Sequence, residues 1–416
     1  MKILRRLFGS TEASLDAADE RLWTGHADSL SEAGTHVTAV SGLQIGVVQA
    51  VLEVLGGTVS TLPLMVFRRT PDGGRSQDTG HPLYRILHRR PSELAGAPTA
   101  QEFREELTRH LAWWRNAYAR ILPGDDGAPV GGLDLIHPSR VLRIERARDG
   151  HLWYTIAALG AGSMEVLRDD QIWHTRKAPL TDDGLRGKPV FETAREELGH
   201  ALAVDRFGAR YFRNSGKTGG IIKHPGRFRD DAEARKFIEL WRSLSTGANQ
   251  HRDRLLTLGA DYQPLDVKND EAQFIETLKQ HEVKIARLWQ MPPHRVGILD
   301  RATFSNIESQ GIDYVVYTLA PWIAAQEQAA ERDLLVGADR DTHFVEFNVA
   351  GLLRGDIKAR FAAYAAGRQW GWLSVNEVRR LENMAPIGPD GDRYLEPKNM
   401  GPPGVSGEPN EKEEAP

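Results

Sequence analysis

LWQMPPHRVG, Leu288 to Gly297, is the stretch around which the chain is organised. Pro292 and Pro293 cannot continue a helix, because they lack amide donors and restrict the residue before them. A helix-like segment from about Asp270 to Met291 ends against them, and another begins near Phe304. The run is therefore a stiff, mostly polar loop between two amphipathic rods, placed where a loop meets a partner.

In the first rod, Phe274, Ile275, Leu278, Ile285 and Leu288 form the buried set. In the second, from about Phe304 to Leu335, Ile312, Val315, Val316, Leu319 and Ile323 form one stripe, and Pro321 is expected to kink it. Upstream lies a helix from about Glu192 to Phe212, stopped by Asn214, Ser215 and Gly216. The next, from about Asp230 to Leu244, carries Phe237, Leu240, Trp241 and Leu244 at helical spacing. RLLTLG and YQPLDVK, between Arg254 and Lys268, read as a small strand pair. Downstream, Asp356 is expected to cap a helix through Ala366, and Ser374 with Glu377 forms a capping box.

The earlier part, Val37 to Ala178, reads as mixed α/β. A helix from about Ser41 to Val54 is expected to end at Gly56 and Gly57. LPLMVFRR, from Leu62, is a strand that turns at Pro71, Asp72 and Gly73. A helix from Gln101 to about Trp114 leads into NAYARIL. Asp149-Gly150 sits between alternating runs, which is a hairpin signal, and DDQIWHTR is one more strand. Residues 1–36 read as a mobile arm. The Pro-, Gly- and Glu-rich stretch from Glu396 has no apolar residues to fold on.

A length of 416 residues suits about two or three domains. With no cysteine, disulfides and thiolate metal sites are excluded, and a reducing compartment fits. A net charge of −4 argues against a chain that is basic throughout for nucleic-acid binding. The most apolar span, Gly42 to Phe67, is broken by Gln44, Gln49, Glu53 and Pro63 and reads as helix then strand, not a membrane span.

Ser215-Gly216-Lys217-Thr218 imitates the end of a phosphate-binding loop. That loop needs a glycine where Tyr211 stands, and a strand before it where the pattern is helical. It reads as a Gly-rich helix stop with a solvated lysine. His281-Glu282 lacks the second histidine of a zinc motif. Asp169-Asp170 and Asp182-Asp183 read as solvated turn acids. Trp113, Trp114, Trp241, Trp289 and Trp322 read as packing residues. Residue chemistry alone assigns no catalytic group, metal or cofactor.

The order of motifs resembles the portal family of tailed bacteriophages and related gene transfer agents, from about Val37 to Asp392. LPLMVFRR is similar to the family's "lPl-v-y" strand and HPLYRILHRRP to its "hpl…lL…P" segment. TAQEFREELTRHLAWWRNAYARI resembles the helix ending in "GNAY", with Arg115 at the glycine. LDLIHPSRV, DDQIWHTR and ARYFRNSGKTGGII follow in family order, and the last accounts for the false phosphate loop. IARLWQMPPHRVGILDRATFSNIESQGIDYVVYTLAPW, Ile285 to Trp322, is the most specific match. LLRGDIKAR and GWLSVNEVRRLENMAP close the series.

The resemblance implies an α+β portal fold, without enzymatic activity or cofactor, assembled as a dodecameric ring at one capsid vertex. Double-stranded DNA would pass through its channel. The large terminase, the head–tail connector or adaptor and the major capsid protein would be partners, and no membrane would be involved. The location implied is the virion or gene transfer agent particle. The layout implied is an α/β wing at 37–228, a stem helix at 229–246, a clip at 247–269 and a second stem helix at 270–291. A tunnel loop at 292–303, a kinked wing helix and strand at 304–351, a crown at 352–395 and a disordered tail at 396–416 complete it. Pro292, Pro293, His294, Arg295 and Arg301 are the candidate DNA-facing residues. Arg252, Arg254, Asp261 and Tyr262 are the candidate clip residues for terminase or adaptor docking. The alternatives are another capsid or head–tail adaptor without a tunnel, and a P-loop NTPase of a packaging motor.

Overall fold

A computed structural model describes residues 29–124, 128–159, 163–213, 220–223, 228–245, 261–264, 271–298, 311–349, 351–352, 357–382 and 384–395. Two compact units divide the chain: Met1–Phe304 with Asp313–Asn348, and Ser305–Ile312 with Val349–Pro416.

The first unit is built on two packed helices, α1 (Gly46–Ser60) and α2 (Ala100–Trp114). Val48, Val51, Leu52, Leu55 and Val59 of α1 and Phe103, Leu107 and Leu111 of α2 are all buried. Each such side chain contributes about 1.5–3 kcal/mol of apolar transfer. Gly56 and Gly57 do not end α1, as their sequence suggests. A Cβ at Gly56 would lie 2.9 Å from Cγ of Arg109 on α2, so this glycine sets the close approach of the two helices. Thr99 starts α2 with a reciprocal capping box to Glu102.

Eleven strands among the described residues form four antiparallel sheets. They are β1 (Leu64–Arg69), β2 (Arg75–Gln77), β3 (Asn116–Leu122), β4 (Gly132–Ile136), β5 (Val141–Arg146), β6 (Leu152–Ala157), β7 (Met164–Arg168), β8 (Ile172–Arg176), β9 (Gly220–Lys223), β10 (Asp261–Pro264) and β11 (His343–Phe347). The sheet orders are β11-β1-β2, β4-β3-β8, β5-β6-β7 and β10-β9. Asp149-Gly150 does turn β5 into β6, with Gly150 at φ 90°. Tyr118, Ile136, Tyr154, Ile156 and Ile172 pack as a second core between two of the sheets.

The remaining long helices of this unit are α3 (Arg195–Arg213), α4 (Asp231–Ser245), α5 (Glu271–Arg287) and α6 (Ala320–Leu334). α5 packs on α3 and α1, and α6 covers β8 and β11. Glu331 and Glu327 of α6 accept from the amides of Val345 and Phe347, closing an edge of the β11 sheet.

The structure adds to three expectations. The end of the expected arm, residues 29–36, is packed: Leu30 bridges His36, Ser31 and Thr35 are buried, and a Cβ at Gly199 would lie 2.3 Å from Oγ of Ser31. Residues 1–28 and 396–416 lie outside the described residues. DYQP, Asp261–Pro264, pairs with Gly220–Lys223, a partner the sequence did not suggest; the expected partner, Arg254–Gly259, lies outside the described residues. Finally, Tyr314–Leu319 is π-helical, and the amide of Ala320 donates to Val315. The wider turn precedes Pro321, whose missing amide an α-helix would need. It also rotates the expected stripe. Tyr314, Val315, Leu319, Trp322 and Ile323 are buried, while Ile312 and Val316 are exposed.

The second unit contains α7 (Ile357–Gln369) and α8 (Val375–Leu381). The Ser374–Glu377 capping box is present at the start of α8. Asn376 is buried and donates to Gly388 O at 2.8 Å and to Asp392 Oδ1 at 3.0 Å, which ties the helix to the segment after it.

Candidate functional site

The Pro-Pro turn is held at its root by the helix before it and the π-helical segment after it. α5 gives way at Arg287 to tight turns that end with Gln290 at φ 54°. A left-handed backbone is uncommon for a residue other than glycine. Between these points Trp289 is buried. Its Nε1 donates to Ala112 O at 2.9 Å, and its ring stacks on Trp113 at 6.3 Å. Trp289 therefore fixes the loop root to the C-terminal turn of α2.

Pro292 is extended, Pro293–Val296 forms one 3-10 turn, and Gly297 reverses the chain at φ 85°. The amide of Ile298 closes the turn on Pro293 O at 3.0 Å. Pro292, Pro293 and His294 are half-buried and Arg295 is exposed. Burial, and then the charge of Arg295, push the His294 imidazole below its usual range, which favours its neutral form.

Arg295 stacks on a neighbour. Its guanidinium lies 4.7 Å from the centre of the Tyr314 ring. Tyr314 donates to Thr58 Oγ1 on α1 at 3.2 Å, and burial raises its phenol pKa. Thr318, one helical turn further on, donates to Gln290 O at 2.7 Å. Tyr314 and Thr318 did not stand out in the sequence as partners of the loop. Their spacing of four was visible, but the π-helical turn that presents them was not.

The other candidates are dispersed. Arg301, Arg252 and Arg254 lie outside the described residues, as do Ser215–Thr218 of the false phosphate loop. Asp261 is exposed and opposite Lys223 in the β9–β10 ladder, and Tyr262 is opposite Ile222. The paired aspartates organise turns: Asp170 pairs with Arg168, Asp169 with His151 at 3.0 Å, Asp182 with Lys188 at 3.1 Å, and Asp183 accepts from Thr181.

His81, Asp339 and His343 come close enough to suggest a metal site, which the sequence did not suggest. The hydrogen bonds argue otherwise. Nδ1 of His81 accepts from the amide of Leu83 at 3.2 Å, so its proton sits on Nε2, facing Asp339 Oδ2 at 3.3 Å. A metal at that nitrogen would require an imidazolate. Thr342 donates to Ala338 O at 3.0 Å and so accepts from Nδ1–H of His343 at 2.9 Å. The cluster is a hydrogen-bonded clasp at the start of β11.

The chain is thus of mixed α+β class, with its Pro-Pro turn rooted between a helix end and a π-helical segment. The phage portal protein family model matches residues 46–383, and the chain belongs to that family. A probable portal protein of Streptomyces phage phiC31 is 29% identical over 423 residues, covering 97% of this chain and 90% of the relative. The crystal structure of an HK97-family phage portal protein from Corynebacterium diphtheriae shares the fold, with TM-score 0.57 and 17% identity. The match covers 77% of this chain and 99% of that one. A chain in the neck of a native gene transfer agent particle, computed with C12 symmetry, has TM-score 0.52 and 19% identity, covering 89% of this chain and 100% of that one. Among the described residues no helix is long and apolar enough to cross a membrane.

Proposed function

We propose that copies of this chain close into a dodecameric ring at one vertex of a phage or gene transfer agent capsid. Double-stranded DNA enters and leaves through its channel. A single observation carries the ring: α4 is amphipathic, yet Ile238 on it is 45% exposed in the single chain. Exposed apolar groups on such a helix call for a further surface. A closed ring uses two different faces of each copy, and neighbouring copies supply that surface. The twelvefold symmetry of the related particle neck supports the copy number.

In this reading residues 37–228 form the wing, and α4 and α5 are the stem helices at 229–246 and 270–291. Residues 304–351 return to the wing and 352–395 form the crown. The clip at 247–269 meets the terminase and later the head–tail adaptor, through Arg252, Arg254, Asp261 and Tyr262. The β9–β10 pairing supports moving 220–223 out of the wing and into the clip. The loop 292–303 faces DNA. A net charge of −4 suits a channel that lets DNA slide, since grip grows with each phosphate neutralised. The chain hydrolyses nothing itself; ATP turnover abolished by Lys217→Ala would overturn that.

Negative-stain imaging of the purified protein tests the ring. Holed rings are expected, and monomers at every salt concentration with no ring inside particles would sink it. Shortening Pro293–Ala302 is expected to spare assembly and impair DNA packaging or retention. Normal packaging by that variant would remove the DNA-facing assignment.

A further inference from the structure

Two contacts bind the Pro-Pro turn to one helical segment, from opposite sides of the prolines. Before them, the Gln290 carbonyl takes the Thr318 hydroxyl at 2.7 Å; after them, Arg295 covers the Tyr314 ring at 4.7 Å. Both anchors lie within the π-helical Tyr314–Leu319. Tyr314 is braced from behind by α1, through Thr58 at 3.2 Å. Gln290 holds a left-handed backbone, a conformation that persists when its surroundings over-determine it. Among the described residues Arg295 has no carboxylate partner, so its charge rests on the ring face.

We propose that Tyr314 and Thr318 are positioning residues that latch the root of the loop. In this assignment Arg295 serves the latch and does not grip phosphate. The two contacts set the direction in which the chain leaves Gly297. The proposal deepens the reading of 292–303 as the DNA-facing loop, and its importance for packaging rests on that reading.

Tryptic cleavage after Arg295 reports the latch, because the guanidinium must leave the Tyr314 ring to enter the protease. The purified full chain is digested under native conditions, and the peptide ending at Arg295 is timed by mass spectrometry. Cleavage after Arg148, in the exposed β5–β6 turn, is the internal control. Tyr314→Leu and Thr318→Val are each expected to raise the Arg295 rate about fivefold, with Arg148 unchanged. Tyr314→Phe keeps the ring and Thr318→Ser keeps the hydroxyl, so both are expected to behave as wild type. An unchanged rate in Thr318→Val, or an equal rise in Tyr314→Phe and Tyr314→Leu, overturns the proposal. If Tyr314→Leu loosens the whole fold, both sites accelerate together and the Thr318 pair decides.

Particles assembled with Thr318→Val separate the two readings. Faster cleavage with fewer DNA-filled particles supports both. Faster cleavage with normal filling supports the latch and overturns the DNA-facing loop. Unchanged cleavage overturns the latch whatever the filling.

Discussion

The side-chain amide of Asn116 pairs with the backbone of Gly187 as one strand pairs with another. Oδ1 accepts from the Gly187 amide at 2.8 Å, and Nδ2 donates to the Gly187 carbonyl at 2.8 Å. Oδ1 also accepts from Nε2 of His174 at 3.2 Å, which leaves Nδ1 of that ring to accept from the Tyr154 hydroxyl at 3.2 Å. Every polar group of this buried knot has a partner. Asn116→Ala leaves the Gly187 amide and carbonyl unpaired, and a loss of about 2–4 kcal/mol is expected. Urea unfolding measures it; a loss under about 0.5 kcal/mol would show the knot to be incidental.

Arg115, at the position where the family resemblance places glycine, has φ 56° and ends α2 in a left-handed turn. The glycine preference there is thus a backbone requirement, which this chain meets with an arginine over Trp322 at 5.4 Å. Arg115→Gly relieves about 1 kcal/mol of backbone strain and removes a stacking contact of about 1–2 kcal/mol. A net change within about 1 kcal/mol is expected. By contrast, a Cβ at Gly187 would lie 2.3 Å from Arg115 O. Gly187→Ala is therefore expected to cost more than about 3 kcal/mol. Thermal melts of the two variants side by side check the ordering.

Stability is expected to fall in mild acid. Burial holds the wholly buried His174 well below its usual range, and the nearby Arg332, Arg176 and Arg186 add to the shift. It is neutral in the fold, so the unfolded chain binds more protons once the pH drops below about 6.5. The stability it lends is complete above that value and is lost as pH falls. Unfolding at a series of pH values should show this slope. His174→Gln, which cannot take up a proton there, should flatten it.

Ser374 caps α8 and accepts from the Glu377 amide at 3.1 Å, while Glu377 accepts from the Ser374 amide at 2.7 Å. Ser374→Ala is expected to weaken this helix by about 1 kcal/mol. Hydrogen exchange should show faster exchange confined to Val375–Leu381, with α1 and α2 unaffected.

Local chemistry was legible where it acts locally. The Asp149-Gly150 turn, the Ser374 capping box and the helix stop before Pro292 all depend on residues a few places apart. What was not legible depends on distant partners. Gly56 reads as a helix end, but it is small because Arg109 of α2 lies against it. Gly220–Lys223 hides behind a false phosphate loop, and its strand partner is nearly forty residues on. Pro321 reads as a kink, whereas the chain widens the preceding turn and re-aims Ile312 and Val316 outward. At the candidate site the prolines were visible. The ring that Arg295 covers was not, because nothing in either segment alone names the other.

The β9–β10 ladder joins two stretches that flank α4 in the chain, so the chain between them is closed at one paired base. Once such a base has formed, lengthening the enclosed chain is cheap, about 0.6 kcal/mol for each doubling. The connections on either side of α4 can therefore change length at little cost in stability, while α4 itself keeps its apolar face.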